Sequence, residues 1–135
     1  MSRIIKGVAA LGVIVSLVVV FTPTFWSVGH TQALTNVLLG QFAVMSIGHT
    51  AYRLASGKRP SLRSAVVGTI CGAGIAISPI LLGLVSGFTS INMFSGGLIM
   101  AVGLYGVVAN LTTEEEQRIP DLSAEQAPDD GPQAA

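Results

Sequence analysis

Every carboxylate in this chain lies after residue 113: Glu114, Glu115, Glu116, Asp121, Glu125, Asp129 and Asp130. The residues before them include basic side chains but no acid. Those bases fall in two places, at Arg3 and Lys6 and again at Arg53, Lys58, Arg59 and Arg63. Long apolar runs occupy the rest. Soluble domains carry about a quarter charged residues, with both signs interspersed. Here 10% of the residues are charged and 50% are hydrophobic, and the mean hydropathy is +0.68. A chain of this kind folds in lipid or against it. It reads as an all-α, polytopic membrane protein.

Four apolar segments follow from the punctuation. The first runs from Ile4 to Thr22, which is roughly 28 Å of helix at about 1.5 Å per residue and close to the hydrocarbon thickness. Its basic start resembles a signal peptide, but Thr22-Pro23-Thr24-Phe25-Trp26 follows with no small-x-small cleavage pattern. The segment is therefore expected to be retained as a span. The others run from about Ala33 to Leu54, Ser64 to Leu82 and Ser90 to Leu111. Gly57 and Pro60 break the chain between the second and third. The start and this middle loop are basic, whereas the other two connections have no Lys or Arg. The positive-inside rule then places both termini and the middle loop in the cytoplasm of a multi-pass cell-membrane protein. Trp26 and Tyr52 fall at the two expected interfaces. After Thr113 the three prolines and seven acids predict a disordered acidic tail, 113–135.

The four segments are two copies of one unit. A shift of 56 residues aligns Arg3 with Arg59, Ala9 with Ala65, Gly12 with Gly68, Ile14 with Ile70, Pro23 with Pro79, Asn36 with Asn92 and Gly40 with Gly96. Thr22 falls on Ser78 and Val19 on Ile75. No gap is needed. The units are 1–56 and 57–112, each a two-helix hairpin, so both enter the membrane in the same direction about a two-fold along its normal. Alternating access in many carriers uses inverted repeats instead. Gly12 with Ser16, and Gly68 with Gly72, give small-xxx-small steps of the kind that let helices approach closely in lipid. Gly103 and Gly106 continue the small face of the fourth segment begun by Gly96. Each proline either stops its helix or bends the last turn, and the hydroxyl of Thr22 or Ser78 is placed to satisfy a freed backbone group.

Ser/Thr-Pro ending the first helix of a hairpin and Asn-x-x-x-Gly opening the second resembles the SPW-repeat family of small integral membrane proteins. That family's proline is typically followed by tryptophan, and a second tryptophan tends to precede the asparagine. In this chain Thr24-Phe25-Trp26 follows Pro23, Ile80-Leu81 follows Pro79, and Thr35 and Ile91 precede the asparagines. The resemblance covers residues 1–112 and implies architecture without an activity.

Residues 1–112 contain no nucleophile beside a base, no phosphate-binding loop and no carboxylate pair, so an enzyme is not expected. Nor is a cofactor or a metal, because His30, His49 and the single Cys71 are far apart in sequence. The candidate polar positions inside the spans are Asn36, Gln41, His49 and Asn92. His49 has no carboxylate to pair with and is expected to be structural; Cys71 is expected to be a small core residue. The asparagines either form a symmetric polar site or bond to neighbouring helices. The basic loop suits anionic lipid headgroups rather than nucleic acid. Two functions follow. One is a non-catalytic scaffold or accessory subunit that binds another membrane protein or itself as a homo-oligomer. The alternative is a passive pore or small-solute transporter lined by Asn36, Asn92 and Gln41. They differ in whether those three side chains meet at a water-accessible cavity.

Overall fold

The computed structural model describes residues 3–83 and 87–125, with side chains to Thr112, and among these residues there are four helices. They are α1 (Arg3–Phe25), α2 (His30–Ala55), α3 (Leu62–Leu81) and α4 (Gly87–Glu125). Three of them, α1, α3 and the Gly87–Thr112 part of α4, are long and apolar enough to cross a membrane. The fourth, α2, is long enough but carries Thr31, Gln32, Thr35, Asn36, Gln41, Ser46, His49 and Thr50. Gln32, Asn36, Ser46 and Thr50 are buried against the other helices. Half of the polar residues that set α2 apart thus face inward, whereas Thr31, Gln41 and His49 are exposed.

The helices pack as a ring, each against its two chain neighbours, with α4 closing onto α1. Across the diagonals, α2 touches α4, whereas α1 and α3 do not meet. One end of the bundle holds the α1–α2 and α3–α4 connections and is called the hairpin end. The other, the basic end, holds the α2–α3 loop. The outer surface is apolar, with Ile4, Phe21, Ile70, Leu81 and Phe94 among many exposed large side chains. Among the described residues ten polar side chains are buried inside, including Ser16, Thr22, Ser78, Ser95 and Asn110. This distribution inverts that of a water-soluble bundle and leaves far more apolar surface uncovered than soluble monomers tolerate.

Packing repeats with the sequence. A methyl added to Gly40 would meet the Val20 backbone, and one added to Gly96 would meet that of Ala76, 56 residues further on. Likewise Gly12 faces Val102, and Gly68 faces Ser46. Both pairs are what a two-fold exchanging the hairpins requires. The two copies are not equally tight: α3 and α4 pack most closely. Gly72 stands where the first copy has Ser16, and Gly103 where it has Ile47. A methyl on Gly72 would lie 2.8 Å from the Gly96 carbonyl oxygen, and one on Gly103 would lie 2.6 Å from the Thr69 nitrogen. These glycines bring backbone against backbone, where the attraction between helices in lipid is greatest. Gly12 and Gly68 act differently from a simple close step. They form hollows on α1 and α3 that receive Ile47, whose side chain is wholly buried at the centre. Gly106 sits against the side chains of Ala65 and Thr50.

Both prolines lie inside the last turn of their helices rather than beyond them. Pro79 cannot donate to the carbonyl of Ile75, four residues back. Ser78 Oγ takes that place, donating to Ile75 O at 3.0 Å. In the first copy Thr22 Oγ1 donates instead to Val18 O at 2.8 Å. The α2 helix ends in a Schellman turn at Gly57, whose φ of 68° suits glycine. Lys58 N donates to Arg53 O and Gly57 N to Leu54 O.

The composition change at Thr113 does not end α4, whose backbone stays helical to Glu125. Glu114 to Arg118 are strong helix formers, and extending an existing helix avoids the cost of nucleation. The rest of the expected tail, 126–135, lies outside the described residues.

Candidate functional site: a buried amide cluster

Gln32 and Asn36 lie one turn apart on α2 near the hairpin end, and Asn92 lies early on α4. All three are buried. Asn36 Nδ2 donates to Asn92 Oδ1 at 3.0 Å, and Asn92 Nδ2 donates back to Asn36 Oδ1 at 2.9 Å. Each amide is both donor and acceptor, so two copies of the same side chain facing across a two-fold satisfy one another. The pair joins α2 to α4 by two reciprocal bonds.

Gln32 extends the cluster to a third helix. Its Nε2 donates to Asn36 Oδ1 at 2.6 Å and to Ser78 Oγ at 3.0 Å. Ser78 Oγ in turn donates to Ile75 O, the carbonyl that Pro79 frees, and Asn92 Nδ2 approaches the same oxygen at 3.5 Å. The proline on α3 and the amides on α2 and α4 are thus one network. Gln32 Oε1 is buried without a hydrogen-bond partner. Above the cluster, Trp26 packs on the buried Phe88 with ring centroids 6.3 Å apart, joining the end of α1 to the start of α4.

A second polar set ties the basic end. Asn110 Nδ2 donates to Pro60 O at 2.7 Å, and Arg59 Nη2 donates to Asn110 Oδ1 at 3.2 Å. Arg53 Nε donates to Arg59 O at 2.6 Å, and Lys6 Nζ donates to Ala55 O at 2.9 Å. These bonds hold the α2–α3 loop against α4 at Asn110, and the Lys6 bond satisfies the Ala55 carbonyl left open at the end of α2.

Comparison of the chain with protein-family models, with curated proteins and with solved structures gives no match in any of the three.

The candidate polar residues do not converge. Asn36 and Asn92 meet directly, whereas Gln41 and His49 are exposed on the outer face of α2. His30 is also exposed, in the first turn of α2, and among the described residues no three His, Cys, Asp or Glu side chains come together. Cys71 is buried in the core beside Ile75 and Ile99. The structure adds Gln32 and Ser78 as hydrogen-bonding members of the cluster. Ser78 was legible as the hydroxyl before proline. Gln32 carries a signal too, since it stands four residues before Asn36 and shares its helix face.

Proposed function

We propose that this chain is an integral membrane protein crossing the bilayer four times, with α2 as the fourth span, and that it acts as a non-catalytic scaffold or accessory subunit. The observation that carries this is how the asparagine pair is used. Both amides are buried and spent on each other at the two-fold, so they hold the hairpins in register and offer nothing to a passing solute. Gln41, which a pore would need on the same lining, lies on the opposite side of α2. The duplicated hairpins and their Ser/Thr-Pro and Asn-x-x-x-Gly motifs support an SPW-type architecture. The acidic segment after Thr113 stays in the cytoplasm beside the basic loop, as a solvated appendage.

The test has two arms. Tagged full-length protein extracted in mild detergent should carry a stoichiometric protein partner or a further copy of itself. Reconstituted alone in vesicles, it should pass small neutral solutes no faster than lipid does. Solute flux that falls on Asn36→Leu would replace this reading with the pore.

Orientation is checked separately. A methyl added at Gly29 or Gly87 meets nothing within 4 Å, so cysteine fits at either. Both variants should react with a membrane-impermeant thiol reagent applied to intact cells, and Ser61→Cys should not. The native Cys71 is buried and should stay silent. Labelling at Ser61 from outside would reverse the orientation drawn from the basic loops.

A further inference from the structure

The outer face of α2 carries a stripe at alternating spacings of four and three: Leu34, Leu38, Gln41, Met45, Gly48 and Tyr52. This is the spacing of a helix seam that meets another helix at a shallow angle. None of the stripe is buried within the chain: Met45 is 72% exposed and Tyr52 65%, and Gly48 is half-buried. A methyl added to Gly48 would meet nothing within 4 Å, so this glycine has no packing role inside the bundle. Gln41 makes no hydrogen bond to the described residues. It lies about 17 Å of helix rise from the start of α2 and about 21 Å from its end, which is the middle of a span.

A carboxamide facing hydrocarbon without a partner is costly, because lipid offers neither donor nor acceptor. The equivalent stripe on α4 shows what a lipid-facing surface looks like in this fold. There, Ser90, Phe94, Gly97, Ala101, Leu104 and Val108 stand at the positions of Leu34, Leu38, Gln41, Met45, Gly48 and Tyr52, and beyond Ser90 at the start of α4 none has a polar side chain. The two faces are related by the internal two-fold, yet only the α2 face carries an amide at mid-depth.

We propose that the α2 stripe is the contact between two copies of this chain, in parallel about a two-fold through Gln41. The proposal rests on the binding role above and names its partner. A second copy supplies the one chemistry the site needs: an amide at the same depth that donates and accepts at once. The chain already closes Asn36 on Asn92 in this way across its internal axis. Leu38 and Met45 flank the amide pair, and Gly48 lets the helices close toward the basic end.

Cysteine cross-linking of the full chain in bilayers, with its mass measured in mild detergent, tests this. Met45→Cys should give a disulfide-linked dimer on oxidation, and Ala101→Cys, its counterpart on α4, should not. Gln41→Leu should lower the Met45→Cys cross-link yield at limiting protein-to-lipid ratio and weaken dimerisation about tenfold, the loss of two interhelical hydrogen bonds. Its monomer melting temperature should be unchanged, since Gln41 is exposed and makes no hydrogen bond to the described residues. Equal cross-linking through Ala101→Cys, or dimerisation indifferent to Gln41→Leu, overturns the interface. A chain that is monomeric at every protein-to-lipid ratio but co-purifies with another membrane protein overturns the self-association and leaves the binding role intact. Solute flux would remove the binding role itself.

Discussion

Gly72→Ala should destabilise the fold far more than Gly68→Ala, although each adds one methyl to the same face of α3. At Gly68 the new carbon would lie 2.5 Å from Ile47 Cδ1, the tip of a flexible side chain that can turn aside. At Gly72 it would meet the Met100 backbone and lie 2.8 Å from the Gly96 carbonyl oxygen, neither of which can move without shifting α4. Overpacking a closed core costs about 1–3 kcal/mol and more where backbone must give. Replacing glycine by alanine within a helix returns up to about 1 kcal/mol. Gly68→Ala is therefore expected near neutral and Gly72→Ala about 3 kcal/mol worse than wild type. Gly72→Leu should not yield a folded protein, and Val66→Leu, on the exposed side of α3, should melt with the wild type. The measurement is thermal unfolding in detergent, followed by helical signal and by retention of the monodisperse species. Equal melting of the two alanine variants would mean that α3 and α4 are not in backbone contact.

The helix count and the break at Gly57 and Pro60 were legible because each depends on local chemistry. Apolar runs, a positive-φ glycine and a proline state their role wherever they stand. Positions paired by the expected 56-residue repeat make alike contacts, Gly40 with Val20 and Gly96 with Ala76. What the sequence could not give was direction around a helix. Asn36 and Gln41 look alike as polar residues in one segment. They are five positions apart, about 500° of helix rotation, and so face different ways by roughly 140°. One ends in the core and the other on the outside.

Two further features were hidden for physical reasons. Gly12, Gly68 and Gly72 all read as small residues that let helices approach. Whether each receives a side chain or a backbone depends on the partner helix, and here Ile47 fills two of the three hollows. Composition ends the fourth apolar segment near Leu111 and starts the tail at 113, because acids and prolines mark segments that cannot bury a core. A helix already anchored by packing does not need burial to continue, so its backbone carries on to Glu125. Composition reports what a segment can bury; it does not report what its neighbour has already nucleated.

Asn36→Leu and Asn92→Leu should each be costly alone and much less costly together. Either single change leaves the other asparagine facing an apolar side chain in a site closed to water. An unsatisfied buried amide costs about 1–3 kcal/mol. Asn92 would keep only its long approach to Ile75 O, and Asn36 would keep only the proton offered by Gln32 Nε2. The double variant removes both amides and puts two leucines face to face. Gln32 then retains Ser78 as its partner. Interhelical hydrogen bonds in membranes average about 0.6 kcal/mol, so the intact pair itself contributes little. Its removal as a unit is expected to cost under about 1 kcal/mol, against about 2 kcal/mol for each single change. The coupling in a double-mutant cycle should therefore exceed 1 kcal/mol, with the double variant more stable than the sum of its parts. The specificity of the pair should show elsewhere. Two leucines tolerate small slips of α2 along α4 that two amides do not, so disulfide trapping between α2 and α4 should spread over more cysteine positions in the double variant. Additive losses would show that the two amides do not rely on one another. Unchanged trapping would show that the register of the hairpins is fixed by the glycine contacts alone.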